Sequence, residues 1–321
     1  PDPALDGHVE LSDFSIGEVS FGDVQGPVRW SRETITLPAT SGRRGESRFR
    51  FEDGRIVFGP GGVNLEGLAH HEPEHVPDAV EIFGVEMAAA RQVRGAVTGE
   101  ARVQFTSRGE RWVVDLDGTV ADAAYGQEQL GGGEVDLTWD RGDVEIRRLL
   151  FRDGPGEVRA SGRVSREGAL DLEVELSRYP IQSIESRPEA LAEATGNVRG
   201  AARLRGPASA LEGSGWIELS PVGFQGTRYG PSRLHFELGE GRVRASGGLA
   251  GRTVRIDEAT VGLRRPWPIW VRGSVHGLEV GTLLGPDRLP EGMTVTVDGV
   301  VDAGIELRRQ PVLDGVVRID S

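Results

Sequence analysis

Leu170-Asp-Leu-Glu-Val-Glu-Leu176 places an apolar side chain at every second residue and a carboxylate between each pair. A period of two is that of a β-strand with one dry face and one wet face; a helix needs spacings of three and four. The same alternation recurs in Val135-Asp-Leu-Thr-Trp139, Leu234-His-Phe-Glu-Leu238 and Val295-Thr-Val297. Glycine-bearing signals stand between such runs: Glu52-Asp-Gly-Arg55, Asp140-Arg-Gly-Asp143, Arg166-Glu-Gly168 and Gly239-Glu-Gly241. Turns of that length join antiparallel neighbours. The chain therefore reads as an all-β meander of short strands. Stretches of low alternation at 38–45, 59–62, 70–77 and 131–133 read as loops, none long enough to link independent domains.

A slower rhythm overlies the fast one. Gly95-Ala-Val-Thr-Gly-Glu-Ala-Arg-Val103 returns as Gly196-Asn-Val-Arg-Gly-Ala-Ala-Arg-Leu204 and as Gly299-Val-Val-Asp-Ala-Gly-Ile-Glu-Leu307. Pro3-Ala-Leu-Asp-Gly-His-Val-Glu-Leu11 returns as Pro311-Val-Leu-Asp-Gly-Val-Val-Arg-Ile319, with a looser copy at Leu211-Glu-Gly-Ser-Gly-Trp-Ile-Glu-Leu219. Sequential repeats imply units that bury their apolar faces against neighbours. The expected units are 1–95, 95–195 and 196–298, with 299–321 opening a further one, so the text reads as an excerpt of a longer chain. One short helix per unit is expected at Ser186–Ala194, where a Ser cap and an early Pro precede helix formers and Gly196, and at Glu86–Arg91. At Val280–Pro290, Gly285 and Pro286 reduce the equivalent segment to a turn or a single helical turn.

Composition narrows the function. The net charge of −13 repels phosphate backbones, so general nucleic-acid binding is not expected. The chain has no cysteine, and all 37 of its basic residues are arginine. That removes thiol nucleophiles, Cys-ligated metal, a Walker lysine and a Schiff-base lysine. No stretch approaches the roughly 18–20 apolar residues of a membrane-spanning helix. Aromatics are 6% of the chain, so few large side chains are at hand to fill a wide core. An alternating sheet must still cover its dry face. On physical grounds two solutions stand level: an open trough filled by a guest, or a closed sandwich or barrel packed by its own Val, Leu and Ile.

The rhythm Gly196-x-Val-x-Gly200, Leu204-x-Gly206-Pro207 and Leu211-x-Gly213 continues through Gly226, Gly230-Pro231 and Leu234–Leu238 to the Gly239–Gly241 turn. It runs on through Ala245–Leu249 and closes on Gly273-x-Val275 and Leu278-x-Val280. This text resembles the AsmA/TamB superfamily of Gram-negative envelope proteins, more clearly over 95–280 than over 1–95. The resemblance implies a repetitive, elongated antiparallel sheet curled into an open apolar trough. It implies a periplasmic bridge-like protein that conducts phospholipid or other acyl lipids between inner and outer membranes, without catalysis or cofactor. The groove lining would be the dry-face residues. These are Val135, Leu137 and Trp139; Leu170, Leu172, Val174 and Leu176; Ile217 and Leu219; and Leu234, Phe236 and Leu238. Trp267, Ile269, Val271, Val295 and Val297 complete the set. A structural or adhesive spacer of closed β modules is the alternative; a sugar-active β-repeat enzyme comes third, since no acidic constellation stands out.

Other candidates have plainer readings. His70-His71-Glu72-Pro73-Glu74-His75 carries zinc- or nickel-binding residue types, yet it occurs in one unit only and reads as a solvated loop. In Arg265-Pro-Trp-Pro-Ile-Trp-Val271, Trp270 has the opposite phase to Trp267, Ile269 and Val271. It reads as strand packing with one exposed indole, or as a lipid-contacting rim. Asp171, Glu173 and Glu175 read as solubilising wet-face charge rather than acid–base partners. Gly131-Gly-Gly133 lacks the strand–loop–helix setting of a phosphate cradle and reads as a flexible turn.

The phase of Leu170–Leu176 sets a first prediction. In a trough, Val174→Asp places an unpaired charge where the acyl chain would run. The variant should stay folded and lose lipid crosslinking from a photoreactive residue at position 172. Glu173→Gln should shift stability by less than about 0.5 kcal/mol. Thermal melts read both; global unfolding by Val174→Asp is the closed-sandwich outcome.

Overall fold

The computed structural model describes residues 4–16, 19–76, 92–185, 187, 192–224, 227–264, 268–279, 296–306 and 312–320. It is nearly all β, with 81% of the described residues in strands, so among these residues cover for the dry faces comes mainly from strands. The first strands are β1 (Ala4–Ile16), β2 (Val19–Ser31), β3 (Thr34–Arg44), β4 (Ser47–Gly59) and β5 (Gly62–His75). They continue with β6 (Val93–Thr106), β7 (Arg111–Tyr125), β8 (Glu128–Asp140), β9 (Asp143–Asp153), β10 (Gly156–Val164) and β11 (Ala169–Pro180). Then come β12 (Asn197–Pro207), β13 (Glu212–Leu219), β14 (Val222–Phe224), β15 (Thr227–Tyr229), β16 (Ser232–Gly239) and β17 (Arg242–Leu249). The last are β18 (Val254–Gly262), β19 (Pro268–Glu279), β20 (Thr296–Glu306) and β21 (Val312–Asp320). The expected helices at 86–91 and 186–194 and the turn at 280–290 fall wholly or mostly outside the described residues.

The chain forms two compact units, Pro1–Gly154 with Arg159–Leu172, and Pro155–Val158 with Glu173–Ser321. In unit 1 each strand from β1 to β9 pairs antiparallel with the next. In unit 2, β12 pairs β13, β13 pairs β16, and β16 to β21 follow in order. β14 and β15 form a separate two-stranded ribbon between β13 and β16 in sequence. Neither ladder is closed by a pairing of its first strand with its last among the described residues.

Several segments expected as loops or turns are strand. Residues 38–44 belong to β3, 70–75 to β5, and 131–133 to β8, while Glu52–Arg55 lies inside β4. The common cause is the β-bulge, in which an extra residue kinks a strand without ending it. Asp53 takes a positive φ of 54° where the β4–β5 register shifts. Pro38 faces that residue across the β3–β4 ladder, and Pro73 lies at a second shift between His71 and Glu74. Proline lacks a ladder donor, so bulges are where a strand tolerates it. Asp, Gly and Pro thus gave a local turn signal that the ladder absorbed. The turns at 140–143, 166–168 and 239–241 do separate consecutive strands.

Unit 1 curls over its own dry face. Phe21 on β2 lies 5.7 Å, centroid to centroid, from Trp112 on β7. Five strand spacings separate β2 from β7 along the sheet, about 24 Å in a flat one. The sheet must therefore bend until β2 and β7 face one another. Phe14, Phe49 and Phe51 pack around Phe21 at 5.9, 6.3 and 6.0 Å, and Phe105 lies 4.5 Å from Trp112. Val19, Val24, Leu65, Val103 and Val114 complete a buried cluster, against which Trp139 packs. A second cluster of Val97, Val120, Ala123 and Val135 takes in Leu137, Leu149 and Phe151.

The wet face of unit 1 is held by ion pairs. Arg147 contacts Asp136 at 2.6 Å and Asp115 at 3.5 Å, and Arg111 binds both oxygens of Asp140 at 3.0 and 2.6 Å. The Arg111 hydrogen bonds hold the Asp140 carboxyl below its ordinary pKa. The small stabilisation this gives is full above the unfolded carboxylate pKa and fades as pH falls through the lowered one.

Aromatic filling makes unit 1 sensitive to truncation. Phe21→Ala should cost about 3–5 kcal/mol, because four rings lose a shared partner and the cavity collapses only in part. Gly42 lies opposite Phe49, whose ring occupies the place a Cβ would take. Gly42→Val should therefore cost about 1–3 kcal/mol by overpacking. Urea denaturation followed by tryptophan fluorescence measures both.

Candidate functional site: the apolar face of unit 2

The register of unit 2 brings one phase of seven strands onto a single face. Val198, Gly200, Ala202 and Leu204 of β12 lie opposite Leu219, Ile217, Gly215 and Gly213 of β13. Those lie opposite Ser232, Leu234, Phe236 and Leu238 of β16, and the last three opposite Gly247, Ala245 and Val243 of β17. The face continues through Val254, Ile256, Ala259 and Val261 of β18 to Val275, Gly273, Val271 and Ile269 of β19. It continues at Val297, Gly299, Val301 and Ala303 of β20, which pair in turn with β21. Ser232 is its one polar side chain among the described residues, and that hydroxyl accepts the Ala250 N–H at 3.0 Å.

Small residues limit what this face can do for itself. Among the described residues only Phe236 is aromatic, and several positions are glycine. Gly247 has φ 146°, and a Cβ there would strike the Arg233 carbonyl. Both of the buried side-chain clusters found among the described residues belong to unit 1. Here Val198, Ile256, Ala259, Val275 and Ala303 are buried, while Leu204, Ile217, Leu219, Leu234, Phe236 and Leu238 are only half-buried. The opposite phase is polar. It carries Trp216 under Arg233 at 5.3 Å and Trp270 under Arg272 at 4.9 Å, an arrangement in which a cation rests on the aromatic quadrupole.

The sequence-derived lining residues fall into three groups. Ile217, Leu219, Leu234, Phe236, Leu238, Ile269, Val271 and Val297 share the unit 2 face. Leu170, Leu172, Val174 and Leu176 alternate half-buried with exposed Asp171, Glu173 and Glu175 along β11. Val135, Leu137 and Trp139 instead pack into the side-chain clusters of unit 1. Trp267 and Val295 lie outside the described residues. Val243, Val254, Ile256, Ala259 and Val261 were not singled out from sequence, although their alternation in β17 and β18 carried the signal.

The histidine segment is strand rather than loop. His70 points to the wet face, 3.2 Å from Glu52 and 3.6 Å from Glu100, while His71 is on the dry face, opposite Phe49 and Gly99. Adjacent residues of a strand face opposite ways, so these two imidazoles cannot share a ligand. Among the described residues no group of three or more His, Asp or Glu is placed to hold a metal ion. No helix among them is long and apolar enough to cross a membrane. No family model, curated protein or solved structure matches this chain.

The three histidines should therefore differ. His71 is 9% exposed within the aromatic end of unit 1, so His71→Ala should cost about 2 kcal/mol through the cavity it leaves. His70→Ala and His75→Ala remove half-buried imidazoles that lie beside Glu52 and Glu46, and each should cost less than His71→Ala, about 1 kcal/mol or below. Thermal denaturation of the three single variants, with and without zinc, reads both the ranking and any metal dependence.

Proposed function

We propose that the chain is a segment of a periplasmic, AsmA/TamB-like lipid-transport protein, and that unit 2 receives acyl chains on its apolar face. One observation carries the reading: seven consecutive strands present a dry face whose own side chains leave much of it half-buried. Apolar surface in contact with water is unfavourable by about 25 cal/mol per Å², and an acyl chain is a flexible, featureless cover for it. The sequence rhythm of 196–280 adds the family resemblance. In this reading the phospholipid is cargo, the inner and outer membranes are its source and sink, and the face acts by surface rather than by catalysis.

A second reading has its own support. Unit 1 fills its interior with Phe and Trp, as a closed structural module would. A spacer built of such modules would need no guest. The two readings separate by position. p-Benzoylphenylalanine at Phe236 should crosslink to acyl lipid in the purified protein, and the same probe at Phe51 should not. Crosslinking at neither site, with no lipid recovered on solvent extraction, would favour the spacer.

A further inference from the structure

The wet phase of unit 2 contains a gap between two arginines. Reading across the ladders, Arg199 lies opposite Glu218, Glu218 opposite Arg233, Arg233 opposite Gly248, Gly248 opposite Arg255, and Arg255 opposite Ser274. Residues opposite one another share a face, so this is one row of side chains. Gly248 contributes none. Arg233 and Arg255 therefore flank an empty position, with their Cα atoms about 10 Å apart, two strand spacings. In the next row His235 lies opposite Ser246. Around this point the surface sinks into an open depression of about 860 Å³; Arg233, His235, Ser246, Gly248, Arg255 and His276 line it together with Glu218 and Asp257, and the dry-phase residues Ser232, Gly247, Val254 and Ile256 reach its edge.

The charges around the gap are unequal. Glu218 is taken up by Arg199 at 2.7 Å. Arg233 lies over Trp216 of β13, on the side of β16 away from Gly248; the indole leaves its charge unneutralised, and the guanidinium must swing off the ring to reach into the gap. Arg255 shares its charge with Asp257 of its own strand at 3.0 Å, and both side chains are largely exposed. Arg199, Arg233 and Arg255 against Glu218 and Asp257 leave an excess of positive charge, on a chain whose net charge is −13. Guanidinium groups present paired N–H donors that match the oxygens of a phosphate, and two of them flanking a gap can close on it from both sides.

We propose that this gap is a binding site for a phosphate group, with Arg233 and Arg255 as its clamps and Ser246 and His235 as neighbouring donors. Its two arginines, Ser246 and His235 lie on the phase opposite the acyl-binding face, and the site does not depend on that proposal. Asp257 is the competing anion and sets the affinity by holding Arg255. The phosphate could be a free anion or the headgroup of an anionic lipid; both present the same oxygens to the arginines.

Isothermal titration of the whole chain with inorganic phosphate at low ionic strength tests the site. One saturable site is expected. Arg233→Gln should weaken it by about tenfold or more, the loss of a charge-assisted contact. Asp257→Asn should tighten it. Gly248→Val keeps every charge and fills the gap; Gly248 is not among the glycines held at positive φ, so its backbone conformation is one that a residue with a side chain adopts. This variant should lose phosphate, whereas diffuse electrostatic attraction would survive it. Circular dichroism confirms that each variant is folded, and Arg255→Gln replaces any that is not. Cosedimentation with phosphatidylcholine vesicles, with and without phosphatidic acid, identifies the carrier: binding only with phosphatidic acid, reversed by free phosphate, marks a lipid headgroup, and phosphate binding without vesicle binding marks a free anion. No saturable phosphate binding, or a folded Gly248→Val variant that binds as well as the parent, would overturn the proposal.

Discussion

Everything in this protein follows from the need to cover the dry face of an alternating strand. A strand with period two makes one apolar face and one polar face whether or not anything is at hand to bury the first. The ladder supplies backbone hydrogen bonds to either kind of sheet, so it does not choose between covered and uncovered. Side-chain volume chooses. In unit 1 the inward positions carry Phe14, Phe21, Phe49, Phe51, Phe105 and Trp112, and the sheet bends until β2 and β7 meet through their rings. In unit 2 the same phase carries, among the described residues, Val, Leu, Ile, Ala, Gly, Ser232 and one Phe, and much of the face stays half-buried. One backbone plan yields two different surfaces because the residues filling it differ in size.

Much of this was legible in the sequence. The all-β class, the antiparallel order and the phase of β11, β13, β16 and β19 follow from alternation, and the phase put Trp270 opposite Ile269 and Val271. Strand boundaries were less legible at 38–45, 52–55, 70–77 and 131–133. There Asp, Gly and Pro mark bulges, and a bulge and a turn use the same residues for the same left-handed backbone. The histidine pair could have been sorted by phase alone once 70–75 was read as strand. The contrast between the units was also present in the text: after Phe151 only Phe224 and Phe236 remain of the ten phenylalanines. A global aromatic fraction hid it, since the low average concealed a filled half and a sparse half. Curvature was not legible, because it depends on which glycines bend the ladder and which rings meet across it.

The wet faces of the two units also differ. Around β7 to β9, Arg147 is shared between Asp136 and Asp115 across neighbouring strands, and Arg111 pairs with Asp140 at a strand end. Such pairing makes a face soluble and inert. In unit 2 the row through Gly248 breaks the pattern, because a missing side chain leaves two cations without a shared carboxylate between them. Arginine as the sole basic residue sharpens the effect: its charge cannot be titrated away, and its planar head lies on Trp216 rather than folding back into a carboxylate.

Energetics say what kind of binding the half-covered face could support. A buried methylene contributes roughly 0.8 kcal/mol, and a face that leaves the guest partly in water recovers only part of that for each carbon. Association also costs several kcal/mol in lost motion, by estimates of about 4–15 kcal/mol. A long acyl chain on such a face would therefore be held with modest net affinity. The row of Val, Leu, Ile and Ala offers no single deep pocket, so moving the chain by one strand spacing exchanges each contact for a near-equivalent one. A deep, aromatic-lined interior like that of unit 1 would do the reverse: its volume is already taken, and admitting a guest would first require separating rings in van der Waals contact. Small inward side chains thus suit a surface over which a lipid passes, and large ones suit a part that keeps its shape.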